Sequence, residues 1–464
     1  MLRREKLTNE VSANIESTLT ISLALKAAAK FSEGAAITEG KGQLGKSYRG
    51  TFNICYWVQV EGLSKLWVVR FPLIGLLPMD AMIAKFNCEI ATLKFLREKT
   101  KVRVPKLIGY GLGDDDISIP FMITENIVGL PLTICWKDFG GNDRFVESIL
   151  NSLAQQYLEL FLHPFDRIGS LCLTPDGKGW DIGTSPISVD QFDTSQDGFQ
   201  ITLSKPHASS IDYYNSQAHL FERRLTEQRN SVFDEPDAIG KFVTPEVFRR
   251  IIPHFINGKF NNGPFFLFHL DLHATNVIVN RHFKVEAILD WEFTSAVPTE
   301  VAFSPPRCLM NQYEPDDMAL DSENYKSYES RLRNFTEQVE KHLSSSYSLL
   351  SELGIVILTQ LRGALTERRA FFAWSASDFR KMFLLLWDHL ALTTPIAIQS
   401  RGDVPTTEDV VFETEQKLID KMSEIIGKTK LEDWVAERLA SLRAYVLQRD
   451  AQKGTIWEDS RGGK

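Results

Sequence analysis

Two short apolar runs, NVIVN at 276–280 and KVEAILDWE at 284–292, are separated by only the three residues RHF. Nothing else in the chain constrains its fold more tightly. Runs rich in Val and Ile on either side of a short polar turn pair as a β-hairpin. Antiparallel pairing sets the start of one strand beside the end of the other, so Asn276 and Asp290 become neighbours. Just upstream, FHLDLHAT (268–275) adds His269, Asp271 and His273, with Asp271 five residues before Asn276.

An amide oxygen and a carboxylate beside a further free carboxylate suit Mg2+, which keeps several waters and binds through one or two carboxylates plus substrate phosphates. Asp271 precedes the asparagine by the spacing of a kinase catalytic loop, where the aspartate accepts the proton of the attacking hydroxyl. His269 would brace that loop, and His273 fits bracing or catalysis equally well. A lone HxD pattern has little specificity, and a histidine on an apolar strand is more often a core residue. A competing reading takes His269, Asp271 and His273 as the ligands of a metalloenzyme. The ordered set His269, Asp271, Leu272, Asn276, Asp290 and Trp291, joined by two strands of suitable length, favours phosphoryl transfer.

At 464 residues the chain exceeds one compact core, so two lobes or two to three domains are expected. A net charge of −8 without clustered Lys and Arg argues against nucleic acid as a partner. The five cysteines are scattered and never form CxxC, which fits reduced thiols and neither a disulfide framework nor a zinc site. No uncharged apolar run approaches the ~20 residues of a membrane span, and no targeting signal stands out, so a cytoplasmic protein without membrane partners is expected.

TFNICYWVQV (51–60) and SKLWVVRFPL (64–73) read as a hairpin, AKFNCEIATLKFLREK (84–99) as a helix with Phe86, Ile90, Leu93 and Leu96 on one face, and PFMITENIV as a further strand. This is a small α+β lobe. Helical periodicity follows at 145–162, 211–228 and 327–350, and the stretch 406–449 reads as two amphipathic helices. The expected organisation is a helical extension (1–38), a nucleotide-binding lobe (39–127), a larger lobe with the catalytic loop (128–400) and a helical segment (401–464).

HLDLHATN followed by ILDWE resembles the motif of the aminoglycoside and choline phosphotransferase superfamily, usually HGDLHxxN and IDWE, with Leu270 where glycine is common. HPFDRIGSL (163–171) is similar to a segment of the fungal-type members, and VVRFP (68–72) and CEIATLKFL (88–96) stand in the places of the ATP-anchoring strand and the following helix. The likeness extends over roughly residues 40–310. It implies a bilobal, protein-kinase-like α+β fold, with a small β-rich N-lobe and a larger, mainly helical C-lobe, that phosphorylates a hydroxyl of a small molecule with ATP and Mg2+.

On this likeness Asp271 is the catalytic base with His269 beside it, and Asn276 and Asp290 are the metal ligands. Arg70 would hold the phosphates and pair with Glu89 on the helix, with an ordinary salt bridge as the alternative; arginine replaces the usual lysine there, a change of reach and geometry. GQLGKSYRGTFN (42–53) would cover the phosphates through Gly42, Gly45, Gly50 and Ser47, although such a turn is not a Walker A sequence. Adenine would dock on the backbone of TENI, including Glu125 and Ile127, and Glu292 would add a contact behind the metal or to a second metal. In FFAWSASDFRKMFLLLWDH (371–389), Trp374, Asp378, Trp387 and Asp388 either frame the acceptor or are plain core. The acidic balance leans toward an amine-bearing acceptor. The main alternative is a non-catalytic, kinase-like binding or regulatory protein. A protein kinase is disfavoured, because no HRD, DFG or APE segment is present.

Overall fold

A computed structural model describes residues 18–73, 78–114, 116–189, 191, 201–310, 322–346, 351–399 and 407–459. After helix α1 (Ile21–Ala29), strands β1 (Ile37–Glu39), β2 (Ser47–Arg49), β3 (Asn53–Val60) and β4 (Trp67–Pro72) precede helix α2 (Met79–Lys99), followed by β5 (Leu107–Gly111) and β6 (Phe121–Glu125). The strands form one antiparallel sheet in the order β1-β3-β4-β6-β5. β1 pairs with the far end of β3 (Ile37 opposite Val60) and β2 with its near end (Ser47 opposite Tyr56), so together they make one interrupted strand.

The sheet folds because β3 and β4 alternate. Ile54, Val58 and Val60, with Trp67, Val69 and Phe71, point to a face that α1 covers with Ala24, Ala27 and Ala28. Small alanines let the helix approach closely, and the Thr20 hydroxyl caps its first turn. The described part of the segment before residue 39, residues 18–38, is therefore part of the small lobe's core.

Helix α2 behaves differently. The expected stripe Phe86, Ile90, Leu93 and Leu96 is buried, but so are Lys85, Cys88 and Glu89, and its apolar residues join the core of the large lobe. That lobe continues with β7 (Leu130–Pro131), α3 (Leu132–Phe139) and α4 (Asp143–Leu160), the hairpin β8 (Ser170–Leu173) and β9 (Trp180–Thr184), and helices α5 (Ser210–Glu227) and α6 (Glu235–Phe255). HPFDRIGSL runs onto β8. Its Gly169 lies so close to β9 that a Cβ would sit 2.1 Å from the Thr184 carbonyl oxygen, so only glycine fits.

Next come β10 (Phe266–His269), β11 (Val277–Val279), β12 (Val285–Ile288) and β13 (Thr294–Val297), then helices α7 (Glu323–Ser346), α8 (Ser351–Arg362) and α9 (Arg369–Ser377). β14 (Ile396–Gln399) pairs with β15 (Thr407–Val410), and α10 (Glu415–Ile426) and α11 (Lys428–Asp459) close the chain. The two amphipathic helices expected at the end of the chain are present. They pack on the large lobe: Leu418 and Met422 enter its core, while Leu431 and Val435 meet Val232 and Ala238. The whole is α+β in two lobes, a sheet followed by a mainly helical body. Among the described residues no helix is long and apolar enough to cross a membrane.

Candidate active site

β11 and β12 pair as the sequence predicts, with Val277 opposite Ile288. One residue beyond the ladder the Leu289 N–H donates to the Asn276 carbonyl at 2.7 Å, which fixes Asn276 beside the approach to Asp290. Asp290 takes a left-handed backbone (φ 62°). A non-glycine residue held there costs of order 1–3 kcal/mol and marks a place where side-chain direction outweighs local comfort. The strand ends there, and the carboxylate is aimed at the small lobe.

The loop between β10 and β11 is held by its own polar groups. His269 is buried, its Nδ1 accepts from the Asp271 N–H at 3.2 Å, and its Nε2 stands 3.0 Å from the Leu289 carbonyl. Those partners require a neutral ring that carries its proton on Nε2, and burial, which pulls its pKa down, favours the same state. The ring thus ties the Asp271 backbone to the strand end that precedes Asp290. Both ring nitrogens are used, so the reading of His269 as a metal ligand fails. The Asn276 amide donates to the Asp271 carbonyl at 3.0 Å, which leaves its oxygen to accept. His273, which the sequence leaves between bracing and catalysis, has its Nε2 2.7 Å from Asp271 Oδ1 and orients that carboxylate.

The small lobe meets this loop through charge. Arg70 on β4 pairs with Glu89 on α2 and reaches Asp290 Oδ1 at 2.9 Å, with Glu292 Oε2 at 3.9 Å. Its guanidinium also lies over the Phe86 ring. The carboxyl of Asp290 is pushed up to about 7, first by withdrawal from water and then by Glu292, although Arg70 opposes this. A third of its side chain nevertheless stays open to solvent.

Sequence reasoning missed Lys85 and Asn53. Lys85 Nζ lies 2.8 Å from Glu292 Oε2 and Asn53 Nδ2 donates to the same oxygen at 2.9 Å, while the rings of Phe52 and Phe293 flank the ammonium. Burial alone would raise the Glu292 carboxyl, but Lys85 and Arg70 outweigh it and hold it below its ordinary value. Glu292, expected to stand behind a metal, is instead the anchor of an inter-lobe ion pair. A signal existed: Lys85 and Glu89 are charged positions four apart in a mostly apolar helical stretch. The spacing suggests that they pair with each other. Each goes instead to a partner outside its helix, because the interior leaves neither a route to water.

The expected phosphate-covering loop divides in two. Gly50 closes the turn from β2 to β3, its N–H donating to the Asn53 carbonyl at 2.8 Å, and Ser47 lies exposed on β2 itself. Gly42 and Gly45 form a separate turn against Trp57, where a Cβ on Gly42 would meet the indole at 2.4 Å. Gly42 answers to packing, and Gly45 to a left-handed backbone (φ 109°) that favours glycine. The turn that reaches the site is 50–52, directly ahead of Asn53. At the end of β6 the Glu125 N–H is bonded to the Lys106 carbonyl and its carboxylate pairs with Lys65 at 2.8 Å, so it has no N–H left for adenine. The Asn126 N–H goes to the Leu66 carbonyl, and Ile127 follows as the chain leaves the sheet.

The aromatic stretch at 371–389 takes the plain alternative. Trp374 and Asp378 are buried and the Trp387 indole donates to Thr244 Oγ1 at 2.9 Å, whereas Asp388 is exposed.

The donor set fits a magnesium nucleotide. Asn276 and Asp290 offer hard oxygens, and among the described residues no cluster of three His, Cys, Asp or Glu competes for a metal. Two buried polar atoms of the cluster, Arg70 Nε and Asn53 Oδ1, have no hydrogen-bond partner among the described residues, as in a cradle made for a polar ligand.

Residues 55–298 match the phosphotransferase enzyme family. The altered inheritance of mitochondria protein 9, mitochondrial, of Meyerozyma guilliermondii is 32% identical over 131 residues, 28% of this chain and 21% of that protein. The clavilactone A biosynthesis cluster protein Y of Ampulloclitocybe clavipes is 24% identical over 275 residues, 55% of this chain and 57% of that one. The chain thus spans between a fifth and three fifths of these relatives. Among solved structures, aminoglycoside phosphotransferase APH(4)-Ia is similar at TM-score 0.42 and 11% identity, covering 79% of this chain and 99% of its own.

Proposed function

Because this chain belongs to the phosphotransferase enzyme family, we propose that it transfers the γ-phosphoryl group of ATP to a hydroxyl of a small molecule, with Mg2+. What supports this reading most is the convergence of Asp271, Asn276 and Asp290 through the loop bonds around His269, each group in a different and complementary state of engagement.

Asp271 has one carboxylate oxygen held by His273. The other is left to orient the acceptor hydroxyl and take its proton, which in phosphoryl transfer is a task of positioning more than of covalent chemistry. Asn276 and Asp290 would hold Mg2+, which when bound neutralises charge on the transferring phosphates. Arg70, already a bidentate group between Glu89 and Asp290, would present its remaining Nε–H to a phosphate oxygen. The turn at Gly50 and Asn53 would cover the same phosphates, and the adenine would rest beyond β6 near Ile127. The acceptor is a small hydroxylated molecule, with an amine favoured by the acidic balance of the protein.

The test is phosphate transfer from labelled ATP to a panel of amino alcohols, aminoglycosides and neutral polyols, comparing the wild type with Asp271→Asn. Labelled product from the wild type and none from the variant supports the reading. Equal product from both would remove Asp271 from the chemistry.

A further inference from the structure

Cys88 and Cys172 stand 84 residues apart in sequence, and their sulfurs lie 3.4 Å apart. Both are free thiols. Cys88 is on α2, the helix of Lys85 and Glu89, and Cys172 is on β8, in the hairpin that packs along α2 from the large lobe. A surface cavity of about 790 Å³ opens onto the pair, with Asp80, Asn87, Thr184 and Lys205 on its walls. Gly183 leaves the Cys172 sulfur its room, since a Cβ there would sit 2.7 Å from it.

We propose that Cys88 and Cys172 are a disulfide-forming site that takes a low-molecular-weight disulfide, such as oxidised glutathione, as its oxidant and fastens α2 covalently to the large lobe when it closes. The sulfurs need to approach by about 1.4 Å to reach the ~2.05 Å of a disulfide bond, a movement within the reach of side-chain rotation. This site is independent of the phosphotransfer reading, because closure changes the chain whether or not the nucleotide site works.

The order of events follows from exposure. Both border the cavity, but Cys172 is half-buried whereas Cys88 is buried. The Cys172 thiolate attacks one sulfur of the small disulfide, forming a mixed disulfide and expelling one small thiolate. Cys88 then loses its proton to solvent and attacks the Cys172 sulfur, expelling the second. Two protein thiols are oxidised by two electrons in all, and one small disulfide is reduced to two thiols. The hydrogen bond between the sulfurs lowers the pKa of Cys172, and the same bond together with burial raises that of Cys88, which matches an attacking and a resolving thiol. Burial pushes the thiols of Cys55 and Cys308 up to about 12, so neither competes.

The disulfide would bear on the site through geometry. Glu89, next to Cys88, is the partner of Arg70, and Lys85, three residues before it, is the partner of Glu292. A bond from α2 to β8 fixes the helix that holds both.

The experiment equilibrates the full chain in glutathione buffers of increasing oxidised fraction, then counts thiols under denaturing conditions, maps cross-links by mass spectrometry of non-reduced digests, and records the thermal midpoint. The expected result is a fall from five thiols to three, a cross-link between Cys88 and Cys172, and a midpoint a few degrees above that of the reduced chain. Cys172→Ser and Cys88→Ser should each abolish the cross-link and the rise in midpoint. Five thiols retained in fully oxidised glutathione, a persistent glutathione adduct on Cys172, or a cross-link between other cysteines would each overturn the proposal.

Discussion

Two side-chain clusters in this molecule both lie largely out of water and differ in almost everything else. One lies between the lobes, where Arg70, Lys85, Glu89, Asp290 and Glu292 bring five ionisable side chains together. The other lies inside the large lobe, where Phe372 stacks against Phe248 and Phe255, and Trp374 meets Tyr328 and Phe371. The aromatic cluster needs no explanation beyond packing, since burying such rings is favourable by itself. The charged cluster does. Buried ion pairs give little or no net stability relative to apolar residues of similar volume, because desolvation offsets the attraction. A cluster of charge kept where it does not optimise stability points to work done there, and this one borders the loop of Asp271.

The comparison breaks most sharply at Asp271. Replacing it by Asn removes the proposed base and keeps the shape, so turnover should fall by about 10²–10⁴ while nucleotide affinity stays within twofold or so; single-turnover kinetics beside calorimetric binding would show whether the two separate. Second in size is Lys85→Met, which leaves Glu292 buried with its main partner gone. The expected loss is about 3–5 kcal/mol in urea unfolding, and a loss below ~1 kcal/mol would mean that water reaches Glu292. Removing the His273 ring, as in His273→Ala, should lower kcat roughly tenfold and leave KM for ATP alone, because only the carboxylate's orientation is disturbed; a rise in KM alone would assign His273 to binding. The smallest effect belongs to the aromatic side. Trp387→Phe loses one hydrogen bond to Thr244 and should cost about 1 kcal/mol of stability with no change in nucleotide binding, and a change in binding would draw this cluster into the site after all.

What was legible in the sequence was local. The hairpin that joins Asn276 to Asp290 depends on two apolar runs and a three-residue turn, and the side-chain hydrogen bonds of His269 and Asn276 that hold the loop span twenty residues or fewer. The β3–β4 pair and the helix after it were readable for the same reason. What escaped was either long in range or a matter of register. Lys85 and Glu292 are 207 residues apart and Asn53 and Glu292 are 239, and no periodicity reports such a pairing. The glycines at 42, 45 and 50 look equivalent in sequence. Only the pairing of Ser47 with Tyr56 shows that β2 has already begun, which leaves Gly50 at the turn and puts Gly42 and Gly45 in a separate turn, with Gly42 against Trp57. The aromatic stretch at 371–389 was ambiguous because a ring that binds a ligand and a ring that fills a core have the same spacing on a helix.

The central claim is that Asn276 and Asp290 hold a magnesium nucleotide beside Asp271. Its most direct test is the change in thermal midpoint on adding ATP, with and without Mg2+, for the wild type, Asp290→Ala and Asn276→Ala. The account predicts a magnesium-dependent rise in the wild type that shrinks or vanishes in both variants. A rise of equal size without magnesium, or one that both variants keep in full, would contradict it.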